Sequence, residues 1–203
     1  MRVMGKKGGK TRQHIIDKSL MLFCVRGYFN TSINNILEET GLTKGGVYAH
    51  FNSKEEIWNA AYKEATAIWK KIIFTGLRSV KDPLERIIIL IEHDMRDYIG
   101  ANTLPCGCFF LNTLVEFSGQ SKEMADFVWN GFEDVMRILE SWIEEANNLK
   151  MLKPELDSKE ISRFIVITLN GTAALYAATK DQALWLSAIN QLKYYINQLR
   201  KTN

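Results

Sequence analysis

Residues 40–58, TGLTKGGVYAHFNSKEEIW, have the look of helix yet carry Gly45 and Gly46 side by side. A glycine inside a helix costs about 1 kcal/mol against alanine, so something other than helix stability sets those two positions. Thr43 offers a hydroxyl N-cap to a short helix over 44–51, with Leu42 before the cap and Val47 placed to form a hydrophobic staple. Ser53 and Glu56 form a capping box for the next helix, which makes Asn52-Ser53-Lys54 the break between the two. The short helix is about 12 Å long at 1.5 Å per residue, a rod that fits a DNA major groove.

Upstream, Ile16, Leu20, Phe23 and Cys24 form the stripe of an amphipathic helix over 11–26, which Gly27 stops. Thr31 or Ser32 caps a second helix carrying Ile33, Ile36 and Leu37, and Gly41 ends it. Helix, glycine turn, helix is the motif whose second helix lies in the major groove. There the backbone must come close, and Gly45 and Gly46 permit it. Thr43, Lys44, Tyr48 and His50 then supply the polar groups: Lys44 for a guanine edge or phosphate, Tyr48 and His50 for phosphate oxygens. Charge agrees, since residues 1–52 hold 8 Lys/Arg against 3 Asp/Glu, whereas the remainder holds 18 against 20.

The stretch TRQHIIDKSLMLFCVRGYFNTSINNILEETGLTKGGVYAHFNSKEEIW, residues 11–58, resembles the N-terminal DNA-binding domain of the TetR family of bacterial one-component transcriptional regulators. RGYFNTSI, the glycine turn, KGGVYAHF and SKEEIW occur in order. The resemblance implies DNA contacts from the helix holding Thr43, Lys44, Gly45, Tyr48 and His50, with Lys54 touching phosphate and Phe51 in the core. Ala49 departs from the pattern, standing where many members carry a large polar or aromatic side chain. The implied partners are double-stranded DNA with a near-palindromic operator, an unknown small-molecule effector and a second copy of the chain.

The 203 residues are 46% hydrophobic and 24% charged, the composition of a soluble globular protein. Three prolines, Pro83, Pro105 and Pro154, leave long stretches free for helix, and strand signals are scarce. An all-α fold is expected: a DNA-binding domain over 1–52, with a flexible arm over 1–9, and a helical effector-binding and dimerisation domain over 53–203. Its helices are predicted over 53–77, 83–99, 105–117, 121–148, 158–179 and 182–200. The longest bare apolar run, Ile87 to Ile91, is far short of the ~20 residues of a membrane span. The basic start leads into no secretory h-region; a cytoplasmic protein with no membrane partner is expected. Three cysteines and three scattered histidines suggest neither a disulfide scaffold nor a metal site, so no cofactor is expected. No nucleophile triad, paired-carboxylate motif or phosphate loop points to an enzyme.

Trp185, Ile189, Leu192, Ile196 and Leu199 follow the a/d spacing of a helical seam, and Ile161, Ile165, Thr168, Thr172 and Leu175 repeat it. The expected dimer interface is Ile165, Thr172, Leu175, Trp185, Ile189, Leu192 and Ile196, with Gly171, Ala174, Ala177 and Ala178 admitting another backbone. The alternative is that both stripes close the protomer's own core. An effector pocket is expected among Ile91, Met95 and Tyr98, then Cys106, Phe110, Leu114 and Phe117, then Val128, Phe132 and Tyr176; plain core packing explains the same residues. Cys106 is placed near a helix start that would favour its thiolate, against an inert packing role. The reading is a transcriptional repressor whose operator affinity is lowered by a small apolar or aromatic effector. Its rivals are an effector-independent DNA-binding protein with a filled core and an enzyme built on the helical body.

Overall fold

The computed structural model describes residues 6–201, and these form helices joined by turns, with one isolated bridge between Leu152 and Arg200. The fold class is all-α, as expected. The chain divides between Lys70 and Lys71 into two compact units.

The first unit begins with α1 (Lys6–Arg26), which buries Ile15, Ile16, Leu20, Phe23 and Cys24. Residues 1–5 of the expected arm lie outside the described residues, and from Lys6 the chain is already helical. Gly27, at φ 80°, closes the helix by donating its N–H to the Phe23 carbonyl at 2.9 Å. Ser32 caps α2 (Ile33–Thr40) and Gly41, at φ 67°, ends it. A capping box holds the start, but its second member is Asn35: Ser32 Oγ accepts the Asn35 N–H, and Asn35 Oδ1 accepts the Ser32 N–H.

The third helix, α3, is shorter than predicted, spanning Lys44–Tyr48. Past Tyr48 the turn tightens, with the His50 N–H reaching back only to the Val47 carbonyl. α4 (Lys54–Ile73) packs on the first helices through aromatic rings: Trp58 meets Tyr28 edge-on at 6.1 Å and Tyr62 at 5.2 Å. This ring cluster carries the unit's packing past residue 52, the end of the motif itself.

In the second unit α5 (Pro83–Glu92) starts as predicted, with Pro83 at N1 and Asp82 accepting the N–H groups of Leu84 and Glu85. The Ile87–Ile91 run is helical, and Ile87, Ile88, Leu90 and Ile91 are buried because α7 and α9 pack against it. From His93 to Gly100 the helix widens into π geometry. α6 spans Phe109–Ser118 rather than starting at Pro105: Gly107 adopts φ 76°, and Cys108 takes the N-cap. α7 (Lys122–Asn148), α8 (Ser158–Thr179) and α9 (Gln182–Leu199) follow the prediction closely. Arg86 forks onto Glu145 of α7 at 2.6 and 3.2 Å, and Arg200 reaches Asp82 at 2.8 Å.

Candidate nucleic-acid interface and ligand-binding body

Thr43 Oγ1 accepts the Gly46 N–H at 3.2 Å, which orients the start of α3, and buried Val47 anchors its inner side. Thr43, Lys44, Gly45 and Tyr48 share the exposed surface, with the Lys44 ammonium 5.9 Å from the Tyr48 ring centroid. A Cβ added at Gly45 would meet nothing within 4 Å, and one at Gly46 would make only ordinary contact with Thr43 and Leu42. Neither position needs a positive φ. Among the described residues no contact requires glycine at 45, and the outer backbone there is left open.

His50 stands apart from that array: it is half-buried, and its Nδ1 is enclosed without a hydrogen-bond partner. Lys54, implied as a phosphate contact, donates to the carbonyls of Tyr28 and Thr31 at 2.9 and 3.0 Å and lies 4.1 Å from the Tyr28 ring centroid. Two of its three N–H groups thus clamp the α1–α2 turn to the start of α4. The expected capping box is displaced by one residue, since the Glu56 carboxylate takes the N–H of Asn52 while Ser53 Oγ accepts from the Glu56 N–H. Phe51 is core, as expected, and Arg12 of α1 lies 4.6 Å from its ring centroid. No spacing rule links positions 12 and 51, so sequence reasoning missed that cation.

In the second unit Ile91, Met95, Tyr98, Phe117, Val128 and Tyr176 are buried, and Phe110, Leu114 and Phe132 are half-buried. Cys106 lies in the turn before α6, and its carbonyl accepts from Asn112 Nδ2 at 2.9 Å. The thiol at the helix start is that of Cys108 instead. Its Sγ accepts the Leu111 N–H at 3.4 Å and donates to Asn170 Oδ1 at 3.5 Å. Burial pushes this thiol up to about 12, against the lowering effect of the Leu111 N–H. Helix-start thiolate chemistry is therefore not what this position supplies. Among the described residues no group of three His, Cys, Asp or Glu is placed to hold a metal ion.

The seven residues of the expected dimer seam divide by burial. Ile165, Ile189, Leu192 and Ile196 are buried in the protomer's own core, and Thr172 and Trp185 are half-buried; of the seven expected residues only Leu175 is exposed. The exposed apolar face of α8 runs through Phe164, Ile167 (67% exposed), Gly171 and Leu175 (58%), and on α9 Leu186 and Tyr194 are exposed as well. By length and composition α8 could cross a membrane, with 39% of its most apolar window buried. A helix apolar on two sides has two seams, and the 3–4 spacing cannot tell the inner from the outer.

The family described as "Tetracyclin repressor-like, C-terminal domain" matches residues 83–192, and "Bacterial regulatory proteins, tetR family" matches residues 15–61. The chain belongs to the TetR family. It is a DNA-binding transcriptional regulator. An HTH-type transcriptional regulator of the lacX 3' region of Lactococcus lactis subsp. lactis is 26% identical over 186 residues, 90% of this chain and 91% of that one. The HTH-type transcriptional repressor DhaR of Mycobacterium sp. strain GP1 is 25% identical over 164 residues, 79% of each chain. A TetR transcriptional regulator from Chloroflexus aurantiacus J-10-FL superposes with a TM-score of 0.89 at 27% identity, covering 98% of this chain and all of that one. For a TetR-family regulator of Cytophaga hutchinsonii the TM-score is 0.85 at 23% identity, over 99% of this chain and 100% of that one, a likeness of fold.

In this TetR-family chain the candidate interface residues legible in sequence are those placed by the Thr43 cap. The Lys54 clamp and the Cys108–Asn170 contact were not, because each joins residues distant along the chain.

Proposed function

We propose that this regulator is a cytoplasmic, homodimeric repressor that reads a near-palindromic operator through α3 and loses operator affinity when a small molecule enters the second unit. One observation carries the DNA reading. The outer face of α3 presents Thr43, Lys44 and Tyr48 around a glycine that no internal contact requires. The two-sided apolarity of α8 supports dimerisation, since Phe164, Ile167 and Leu175 form a stripe that a second copy would cover. The repressing sign draws on the relative named a repressor. An effector changes the equilibrium only through different affinities for two conformations of the dimer.

The test is fluorescence anisotropy on DNA taken from upstream of the protein's own gene, over a salt series. Affinity is expected to fall steeply with salt, and Lys44→Ala and Tyr48→Ala to weaken binding at unchanged fold. Wild-type affinity in both variants would remove α3 from the interface.

A further inference from the structure

The second unit encloses two polar atoms that the protein leaves without a hydrogen-bond partner, Tyr98 Oη and Trp185 Nε1. Tyr98 is 2% exposed. Buried polar atoms are nearly always bonded, so two orphans on neighbouring elements require a reason. Tyr98 lies in the π segment at the end of α5, where the N–H groups of Ala101 and Thr103 reach back five residues to Arg96 and Tyr98. Such widened turns are rare overall and are frequent at functional sites. Trp185, the fourth residue of α9, lays its indole on the same segment: a Cβ at Gly100 would stand 3.3 Å from its Cε2, the carbon bonded to Nε1.

The chemistry of the two groups is selective. Indole Nε1 donates and cannot accept, and the phenol has its proton to give. The neighbouring thiol of Cys108 is already directed to Asn170. Burial raises the pKa of both Tyr98 and Cys108, and the charge of Asp94 adds to the rise at each. An anionic ligand would add a second negative charge to that of Asp94, while a pure hydrocarbon would leave both donors unsatisfied.

We propose that the effector is an uncharged, largely apolar molecule bearing a carbonyl-type acceptor, which takes its hydrogen bonds from Tyr98 Oη and Trp185 Nε1 beside the π segment. This inference rests on reading the second unit as the effector-binding body.

The experiment uses matched triplets of ketone, hydrocarbon and carboxylate built on phenyl, naphthyl and decyl bodies, with binding to the full-length protein followed by calorimetry. On at least one body the ketone is expected to bind roughly three- to ten-fold more tightly than both of its partners, as one neutral hydrogen bond gives. Tyr98→Phe and Trp185→Phe should each reduce that preference. No ketone preference on any body, a carboxylate that binds best, or a preference untouched by both variants would overturn the proposal. A second measurement needs no ligand. Because the hydroxyl is an orphan, Tyr98→Phe should unfold at the same temperature as wild type or higher, and a large fall would mean that the hydroxyl is satisfied in the free protein. Operator binding by the wild type, measured alongside, separates the two readings: intact DNA binding with no ketone preference sinks this proposal alone, and absent DNA binding sinks the regulator reading.

Discussion

A Cβ placed on Gly107 would stand 2.7 Å from the Cβ of Ala177 and 3.4 Å from the carbonyl oxygen of Ala173. The turn before α6 thus lies directly on α8, and the small residues there admit a backbone from the same protomer. Gly107 also sits at φ 76°. Gly107→Ala therefore combines left-handed strain with a close contact and should cost roughly 2–4 kcal/mol in urea unfolding. Adding Ala177→Gly should recover the contact part and leave the strain. Full wild-type stability in Gly107→Ala would mean that the turn shifts freely.

Gly45 should behave in the opposite way. Its added Cβ meets open space within a helix, so Gly45→Ala is expected to raise stability by up to about 1 kcal/mol. The same methyl holds the α3 backbone away from DNA, and operator affinity should fall. Thermal unfolding and anisotropy on one preparation check both signs, and a variant that gains stability while keeping full affinity contradicts the role given to this glycine.

The outer face of α8 separates assembly from folding. Ile167→Glu and Leu175→Glu place charges at exposed positions; sedimentation is expected to show a dimer for the wild type and folded monomers for these variants. Ile189→Asp, in the protomer's own core, should unfold the chain by circular dichroism, since an unpaired buried charge costs several kcal/mol. Folded monomers from Ile189→Asp would restore the inner stripe as the interface.

Alkaline pH should weaken the second unit. Burial holds the Cys108 thiol near 12 against its ordinary 9.0, and raises Tyr98 in the same direction. Above about pH 9 the unfolded chain releases the thiol proton while the folded chain keeps it, so the unfolded state binds fewer protons. Stability is then full below pH 9 and falls as pH rises toward about 12, by at most about 1.4 kcal/mol per pH unit for each group. Urea midpoints at pH 8 and pH 10.5 should differ more for the wild type than for Cys108→Ala, and equal differences would exclude the thiol as a source.

What was legible in the sequence was written locally. Thr43, Asp82 and Ser121 each stand one residue before the helix that they cap, so those starts could be placed by inspection. The start of α6 could not, because it depends on a positive φ at Gly107 that is fixed by contact with α8. Residue type also failed to separate core from pocket: Ile91, Met95 and Phe117 are buried in the same manner whichever they are. Tyr98 and Trp185 stand out only once the partners of their polar atoms are known. The π segment left no mark at all, since HDMRDYIG contains no residue that a plain helix would refuse.

That segment also says something about descent. A helix bonded over five residues instead of four has taken in one residue too many, and Arg96 and Asp97 are the exposed residues of the segment. Losing one of them would let the helix relax to regular winding without disturbing anything before His93. It would also turn everything after the gap by about 100°, one residue's share of a 3.6-residue turn. Tyr98 and Gly100 would then face new neighbours, and a single lost codon would re-aim the inner groups of the second unit while leaving the sequence of the first unchanged.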